Sequence, residues 1–241
     1  ILAVQDTTEI NFAGRDKKRR GFGPAGDGKT PGFFVHPVIA IDVETESMIG
    51  LVDAAIWTRR RGKVRARRSR RLEDKESARW LAGCDTTAAR LATAAAVTMV
   101  ADREGDIYEL FAGKPAGLEL IVRAALDRAL AGGGRLFDAL GEALLLAVSQ
   151  VRVAPRGPGD KGRIATVELR AGTVAIARPR NGRHPDAPPA VTLTLVEARE
   201  AAPPAGKTPL LWRLLTSHRV AGAADAEAVV QRYRLRWRIE Q

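Results

Sequence analysis

The sequence predicts an α/β protein: a mixed, largely parallel sheet flanked by helices, with an antiparallel β segment set into it. Three observations carry that expectation. Val97-Thr-Met-Val-Ala101 is a continuous small and apolar run that ends in Asp102, with Gly105 and an amphipathic stretch behind it. Such a run reads as a strand covered on both faces, then a tight turn and a helix. Ile1-Leu-Ala-Val4 repeats the pattern and leads to Asp6. From about residue 126 the chain changes to short runs rich in Val, Thr and Leu, parted by Gly and Pro, which is the mark of antiparallel strands.

Taken in order, residues 1–10 form the first strand, with Asp6 at its edge. Residues 11–32 carry Gly21, Gly23, Pro24, Gly26, Gly28, Pro31 and Gly32, a density that predicts a loop without regular structure. Residues 33–43 and 48–57 read as the two strands of a hairpin. In residues 59–71, nine of thirteen are basic. Such a run is by default a solvated loop, and one able to order on phosphates. Arg65, Arg67 and Arg68 within it are candidate DNA contacts. Residues 73–93 form a helix with Trp80, Leu81, Cys84 and Ala88 as its apolar stripe and Glu73 and Asp74 in its first turn. A helix to residue 111 follows the 97–101 strand, and residues 118–123 form a further strand. Parallel pairing would set Arg123 at its end beside Asp102.

Gly132-Gly-Gly134 then breaks the chain, and residues 136–146 look helical, with Phe137, Leu140 and Leu144 in phase. Strands are expected over 148–154, 164–170, 173–177, 191–198 and 210–216. A last helix begins at 223. Ala228, Leu235 and Ile239 form one apolar strip on it, and Val229, Tyr233 and Trp237 flank Arg236 and Glu240 on the other side, so both sides are expected to pack. The division that follows is 1–125, a mainly β insertion over 126–217, and a return to the first unit over 218–241.

Composition narrows the partner. The 241 residues hold 39 basic and 28 acidic side chains, 39 − 28 = +11. That excess asks for a polyanion, with nucleic acid ahead of an anionic membrane surface. The single cysteine, Cys84, excludes an internal disulfide and a Cys-rich zinc site, and the three histidines form no zinc motif. No signal peptide or long apolar run is present, which predicts a cytoplasmic protein without a membrane span. The chain opens inside a strand without Met and closes one residue after Glu240, so a piece of a longer protein is expected.

The chemistry lies in the carboxylates. Asp6 and Asp102 each follow an apolar strand, and ligands of open α/β sheets gather at such ends. Tyr233, Arg236 and Glu240 stand at i, i+3 and i+7, one face of a helix. Three carboxylates at one point can hold two divalent cations about 3.5–4 Å apart, which clamp the attacking and leaving oxygens of an in-line phosphoryl displacement. Mg²⁺ suits an all-oxygen site, with Mn²⁺ able to replace it. The plainer alternative is that Asp102 or Asp106 only caps the following helix.

Gln5-Asp6-Thr7-Thr8, Asp102-Arg103-Glu104-x-Asp106-Ile107 and Tyr233-x-x-Arg236-Trp237-x-Ile239-Glu240 together resemble the bacterial cut-and-paste DDE transposases with the Tyr-Arg-Glu-Lys signature. Between them Gly32-Phe33-Phe34-Val35-His36, Asp74-Lys75-Glu76-Ser77-x-x-Trp80-Leu81, Ile121-Val122-Arg123 and Pro209-Leu-Leu-Trp212-x-Leu-Leu-Thr216-Ser217 also match. The ordered set spans nearly the whole chain and is specific where each motif alone is weak. The resemblance implies a ribonuclease H-like core, interrupted by the β insertion. It implies metal-dependent cleavage at transposon ends, a hairpin intermediate, strand transfer into target DNA, and a homodimer in the DNA complex. It assigns Asp6, Asp102 and Glu240 to metal and catalysis, and Tyr233 and Arg236 to the end phosphates. It also implies a nucleoid-associated protein. The signature Lys falls beyond Gln241.

Two alternatives stand beside this: a ribonuclease H-like nuclease that does not join ends, and an inactive DNA-binding remnant. Trp212 is open in the same way. The matching family residue stacks on a base flipped from the duplex, whereas the neighbouring Leu211, Leu214 and Leu215 suit a core tryptophan. Strand alternation leaves both possible.

Overall fold

A computed structural model describes residues 1–12, 20–26, 28–59, 76–141, 143–153, 155, 161–180 and 187–241. Arg65, Arg67 and Arg68, with most of the basic run and the predicted start of the first helix, lie outside the described residues. The fold is α/β: one large mixed sheet with few helices. In chain order the elements are β1 (Leu2–Gln5), β2 (Thr8–Asn11), β3 (Gly23–Ala25), β4 (Thr30–Ile41), β5 (Met48–Trp57), α1 (Ala78–Arg90), β6 (Val97–Ala101), α2 (Tyr108–Ala112), β7 (Leu118–Arg123), β8 (Ala147–Val153), β9 (Arg163–Ala177), β10 (Ala190–Glu200), β11 (Leu211–Thr216) and α3 (Ala223–Arg234).

The sheet runs β2-β4-β1-β6-β7-β11-β10-β9-β8, with β3 and β5 also paired to β4. β1, β6 and β7 are parallel, and β4 runs antiparallel to β1. β7 to β8 form the antiparallel half through β11, β10 and β9. The strands of 126–217 therefore continue the same sheet. Thr216 and Ser217 stitch the two halves: the Thr216 hydroxyl donates to the Leu120 carbonyl at 2.7 Å, and the Leu120 N–H donates to the Ser217 hydroxyl at 2.8 Å.

Period-2 alternation sends neighbouring residues to opposite faces. Ala3, Met99, Leu120 and Leu215 pack with Trp80, Cys84 and Leu110 from α1 and α2. Leu2, Val4, Val100, Ile121 and Leu214 pack with Val229, Val230 and Tyr233 of α3. All five residues of β6 are buried, as a strand covered on both faces requires. Cys84 is a buried core residue of α1, and burial pushes its thiol up to about 12.

Five expectations are corrected. The first strand is two: β1 stops at Gln5, β2 starts at Thr8, and both pair with the long strand β4. The Gly/Pro segment is not all loop, because β3 pairs with the start of β4. Gly26 and Gly28, at φ of 57° and 76°, supply the left-handed backbone that this tight turn needs. The strands expected over 164–170 and 173–177 are one strand, β9. The helix expected over 136–146 is a single 3₁₀ turn, Leu136–Asp138. Leu136 and Leu140 are buried but Leu144 is 84% exposed, so no third anchor holds a longer helix to the core.

The last helix buries one stripe, Ala226, Val229, Val230 and Tyr233, rather than two faces. It lies on β8 to β11, and beyond Arg234 it tightens into a 3₁₀ segment, Leu235–Glu240, that crosses to β1. No helix among the described residues is long and apolar enough to cross a membrane.

Candidate active site at the carboxyl ends of the parallel strands

The sheet register brings the two aspartates together. Val4 pairs with Val100 in the parallel β1–β6 ladder, so two positions further on Asp6 stands beside Asp102. Ala101 pairs with Val122 in the β6–β7 ladder, so Arg123 stands on the far side of Asp102. Alternation carries all three toward the face of α3, because Val4, Val100 and Ile121 already lie in that cluster.

The crossing segment after α3 delivers the third carboxylate. Arg236 Nη1 meets Asp6 Oδ2 at 2.8 Å, and its Nη2 meets Glu240 Oε1 at 2.6 Å. The Arg236 side chain is only 6% exposed, and its Nε is a buried donor without a partner among the described residues. One guanidinium thus holds Asp6 and Glu240 on either side of itself. Glu240, at 43% exposed, forms the solvent edge of the site.

Burial and neighbouring charge together shift the carboxyls of the site. Burial, then the neighbouring Asp102, raise the Asp6 carboxyl above its usual range; Glu240 adds to this, while the Thr7 N–H and Arg236 oppose it. Glu104 is raised likewise, by burial first and then by Asp102 and Asp6. Burial opposes the charge on Arg236, yet Tyr233, Glu240 and Asp6 together hold its proton more tightly than usual.

Asp102 also caps: its Oδ1 accepts from the Glu104 N–H at 2.7 Å, which starts the 3₁₀ turn Arg103–Gly105. Cap and site residue are therefore compatible roles for Asp102. Asp106 is different. Its Oδ2 accepts from the Ala125 and Leu126 N–H groups, both at 2.8 Å, and its Oδ1 pairs with Arg128 at 2.6 Å. With both oxygens engaged and its side chain sealed from solvent, Asp106 ties the turn after β7 to the turn after β6.

The residues expected on DNA are placed less openly than the sequence suggests. Tyr233 is buried, and its ring meets Trp212 edge-on at 5.0 Å between centroids. Trp212 is 5% exposed within the α3-face core. The structure thus places Trp212 in the core beside Tyr233, and the base-stacking role implied by the motif would require the ring to be uncovered. Burial lowers the Arg123 proton affinity, opposed by the adjacent Tyr233, and Arg123 Nη2 donates to the Leu211 carbonyl at 3.2 Å. Tyr233 and Arg236 are both buried here, so neither meets solvent phosphate without a local rearrangement.

Among the described residues, no group of three or more Asp, Glu, His or Cys side chains stands in a metal-ligating cluster. The donor set nevertheless fits a hard divalent cation. It is all carboxylate oxygen, and the Asp6 carboxyl, raised by burial and then by the neighbouring Asp102, is one that a cation would help to ionise. Asp6, Asp102 and Glu240 are the residues that would hold it.

Sequence reasoning gave no role to Glu104, which stands near the aspartates, nor to Gln5, Thr7 and His36 behind Asp6. The available signal was proximity in the motifs themselves: Glu104 is two residues past Asp102, and Gln5 and Thr7 flank Asp6. No protein-family model matches the chain.

Proposed function

We propose that this chain is the catalytic domain of a metal-dependent DNA transposase, with a ribonuclease H-like core and Asp6, Asp102 and Glu240 as its acidic triad. The observation that carries this reading is the placing of Asp6 and Asp102 two positions beyond the paired Val4 and Val100 of adjacent parallel strands, with Glu240 linked to Asp6 through Arg236. The ordered motifs and the +11 charge support the same reading. So does the sheet: the β4–β5 hairpin flanks β1, with β6 and β7 parallel on its other side.

In this function Asp6 and Asp102 would hold Mg²⁺ from the sheet and Glu240 from the crossing segment. Bound Mg²⁺ supplies a nucleophile of lowered pKa and stabilises the departing 3′ oxygen. Arg123, two positions beyond Ile121 of the strand beside Asp102, and the exposed Arg103 next to Asp102 in sequence would offer positive charge to phosphates. Arg236, which here pairs with Asp6 and Glu240, would be free to meet phosphate once a metal ion held those carboxylates. The DNA partner is recognised first through its backbone. Pairing of two transposon ends in a dimer is the expected working state.

The test is Asp102→Asn. Metal-dependent nicking of DNA should fall on the order of 10³-fold or more, while DNA binding measured by gel shift stays near the parent value. Nicking that survives the substitution in Mg²⁺ overturns the assignment. Nicking without any joining of a 3′-hydroxyl to a second duplex would make the chain a nuclease instead.

A further inference from the structure

Behind Asp6, on the face away from α3, lies a buried chain of hydrogen bonds that the triad does not use. β1 and β2 both pair with β4, and Asp6-Thr7 is the step between them. His36 of β4 is 2% exposed and rests edge-on against Trp80, 4.8 Å between ring centroids. Its Nε2 lies 3.1 Å from Gln5 Oε1, and its Nδ1 lies 2.8 Å from the Thr7 hydroxyl. The Gln5 amide nitrogen faces the Trp80 carbonyl at 3.4 Å and Cys84 Sγ at 3.8 Å, both on α1.

That last pair of contacts orients the amide, and the amide fixes the imidazole. Gln5 Oε1 must be the acceptor for His36, so Nε2 carries the ring proton and Nδ1 accepts from the Thr7 hydroxyl. Gly83 is part of the fit: a Cβ there would stand 2.6 Å from Gln5 Oε1. Burial, then Arg79, lower the His36 pKa to about 4, with Asp53 opposing. The ring is therefore neutral at neutral pH, as an acceptor at Nδ1 must be. On the other side of the step, the Thr7 N–H donates to Asp6 Oδ1 at 2.8 Å, which turns Asp6 Oδ2 toward Arg236.

We propose that His36 is the positioning residue for Asp6: it grips the Thr7 hydroxyl from the buried face, and Thr7 in turn aims the Asp6 carboxylate into the site. The inference rests on Asp6 being a metal ligand. A partner that orients a ligand acts on metal affinity without touching the metal.

The experiment compares Thr7→Val, which removes the hydroxyl, with Thr7→Ser, which keeps it. Mn²⁺ affinity of the whole chain is measured by titration calorimetry, and protection of the Thr7 amide by hydrogen exchange in metal-free buffer. Thr7→Val should weaken Mn²⁺ binding roughly tenfold and lower the protection of that amide. Thr7→Ser should stay within about twofold of the parent, inside the range of a retained contact. Adding Thr7→Val to His36→Phe should cost little beyond His36→Phe alone, because the two act as one chain. If His36→Phe fails to fold, the threonine pair still decides.

Parent-like Mn²⁺ affinity in Thr7→Val overturns the proposal while leaving the triad intact. Equal loss in Thr7→Ser and Thr7→Val overturns it too, since packing rather than the hydroxyl would then matter. A parent chain with no Mn²⁺ affinity overturns the metal-ligand assignment of Asp6, and this inference with it.

Discussion

Two buried arginines, Arg128 and Arg236, hold carboxylates in contrasting ways. Arg128 gives its Nε and Nη2 to Asp106 Oδ1 and its Nη2 also to the Asp106 carbonyl, while two backbone N–H groups fill Oδ2. Both side chains are out of solvent, and both Asp106 oxygens are engaged. Arg236 is as deeply buried but divided between Asp6 and Glu240, with its Nε unpaired and its partners 21% and 43% exposed. The first arrangement closes on itself. The second leaves charge and donors over, at the carboxyl ends of parallel strands where ligands of α/β sheets gather. The contrast separates an aspartate closed within the fold from carboxylates that keep contact with solvent.

The sharpest way to break the comparison is to remove each arginine. Arg128→Met leaves Asp106 buried without its cation, which costs about 3–5 kcal/mol. For a chain of this size that lowers the melting temperature by roughly 6–20 °C. Arg236→Met should cost less, about 1–2 kcal/mol, because its partners reach water and one of its donors is already unpaired. Millimolar Mg²⁺ should restore much of that loss in Arg236→Met and none of it in Arg128→Met. Equal destabilisation, with no recovery in Mg²⁺, would erase the distinction.

Asp6→Asn gives the smallest effect and the opposite sign. The Asp6 carboxyl is raised in the fold, chiefly by burial and then by Asp102. Such a group stabilises the fold only while protonated; that contribution is lost as pH rises through its folded value. At neutral pH the metal-free chain therefore carries Asp6 as a net destabiliser. Asp6→Asn should raise its melting temperature slightly near neutrality, with the gain shrinking in acid. A clear loss of stability at neutral pH would place Asp6 with Asp106 as a structural residue.

The parts of the molecule legible in the sequence are those set by local pattern. β5 and β7 fall where period and composition put them, and β6 is the buried strand expected ahead of Asp102. Gly/Pro turns mark the antiparallel half. The rest depends on pairing at long range. That β1 breaks at Asp6 follows from β4 being long enough to pair with two short strands at once. The fusion of two expected strands into β9 follows from its partner β10, whose ladder runs unbroken past Gly172. The helix expected over 136–146 failed because in-phase leucines are only an opportunity for burial, and Leu144 found no surface to cover.

The site shows the same division. Asp6, Asp102 and Glu240 are legible in the sequence as carboxylates that follow two apolar strands and a helix. The closeness of Asp6 to Asp102 depends on the β1–β6 register, and Arg236 as the cation between Asp6 and Glu240 depends on the 3₁₀ crossing of residues 235–240. The local motif around Trp212 fitted either role, and its burial against Tyr233 came from α3, a separate element.

The most direct test of the central claim, that Asp6, Asp102 and Glu240 form one divalent-cation site, is Mn²⁺ titration calorimetry on the parent chain, Asp102→Asn and Glu240→Gln. The parent should bind Mn²⁺, and each variant should bind it at least ~10-fold more weakly while keeping the parent's circular dichroism. A parent that binds no Mn²⁺, or variants that bind it as tightly as the parent, would contradict the account.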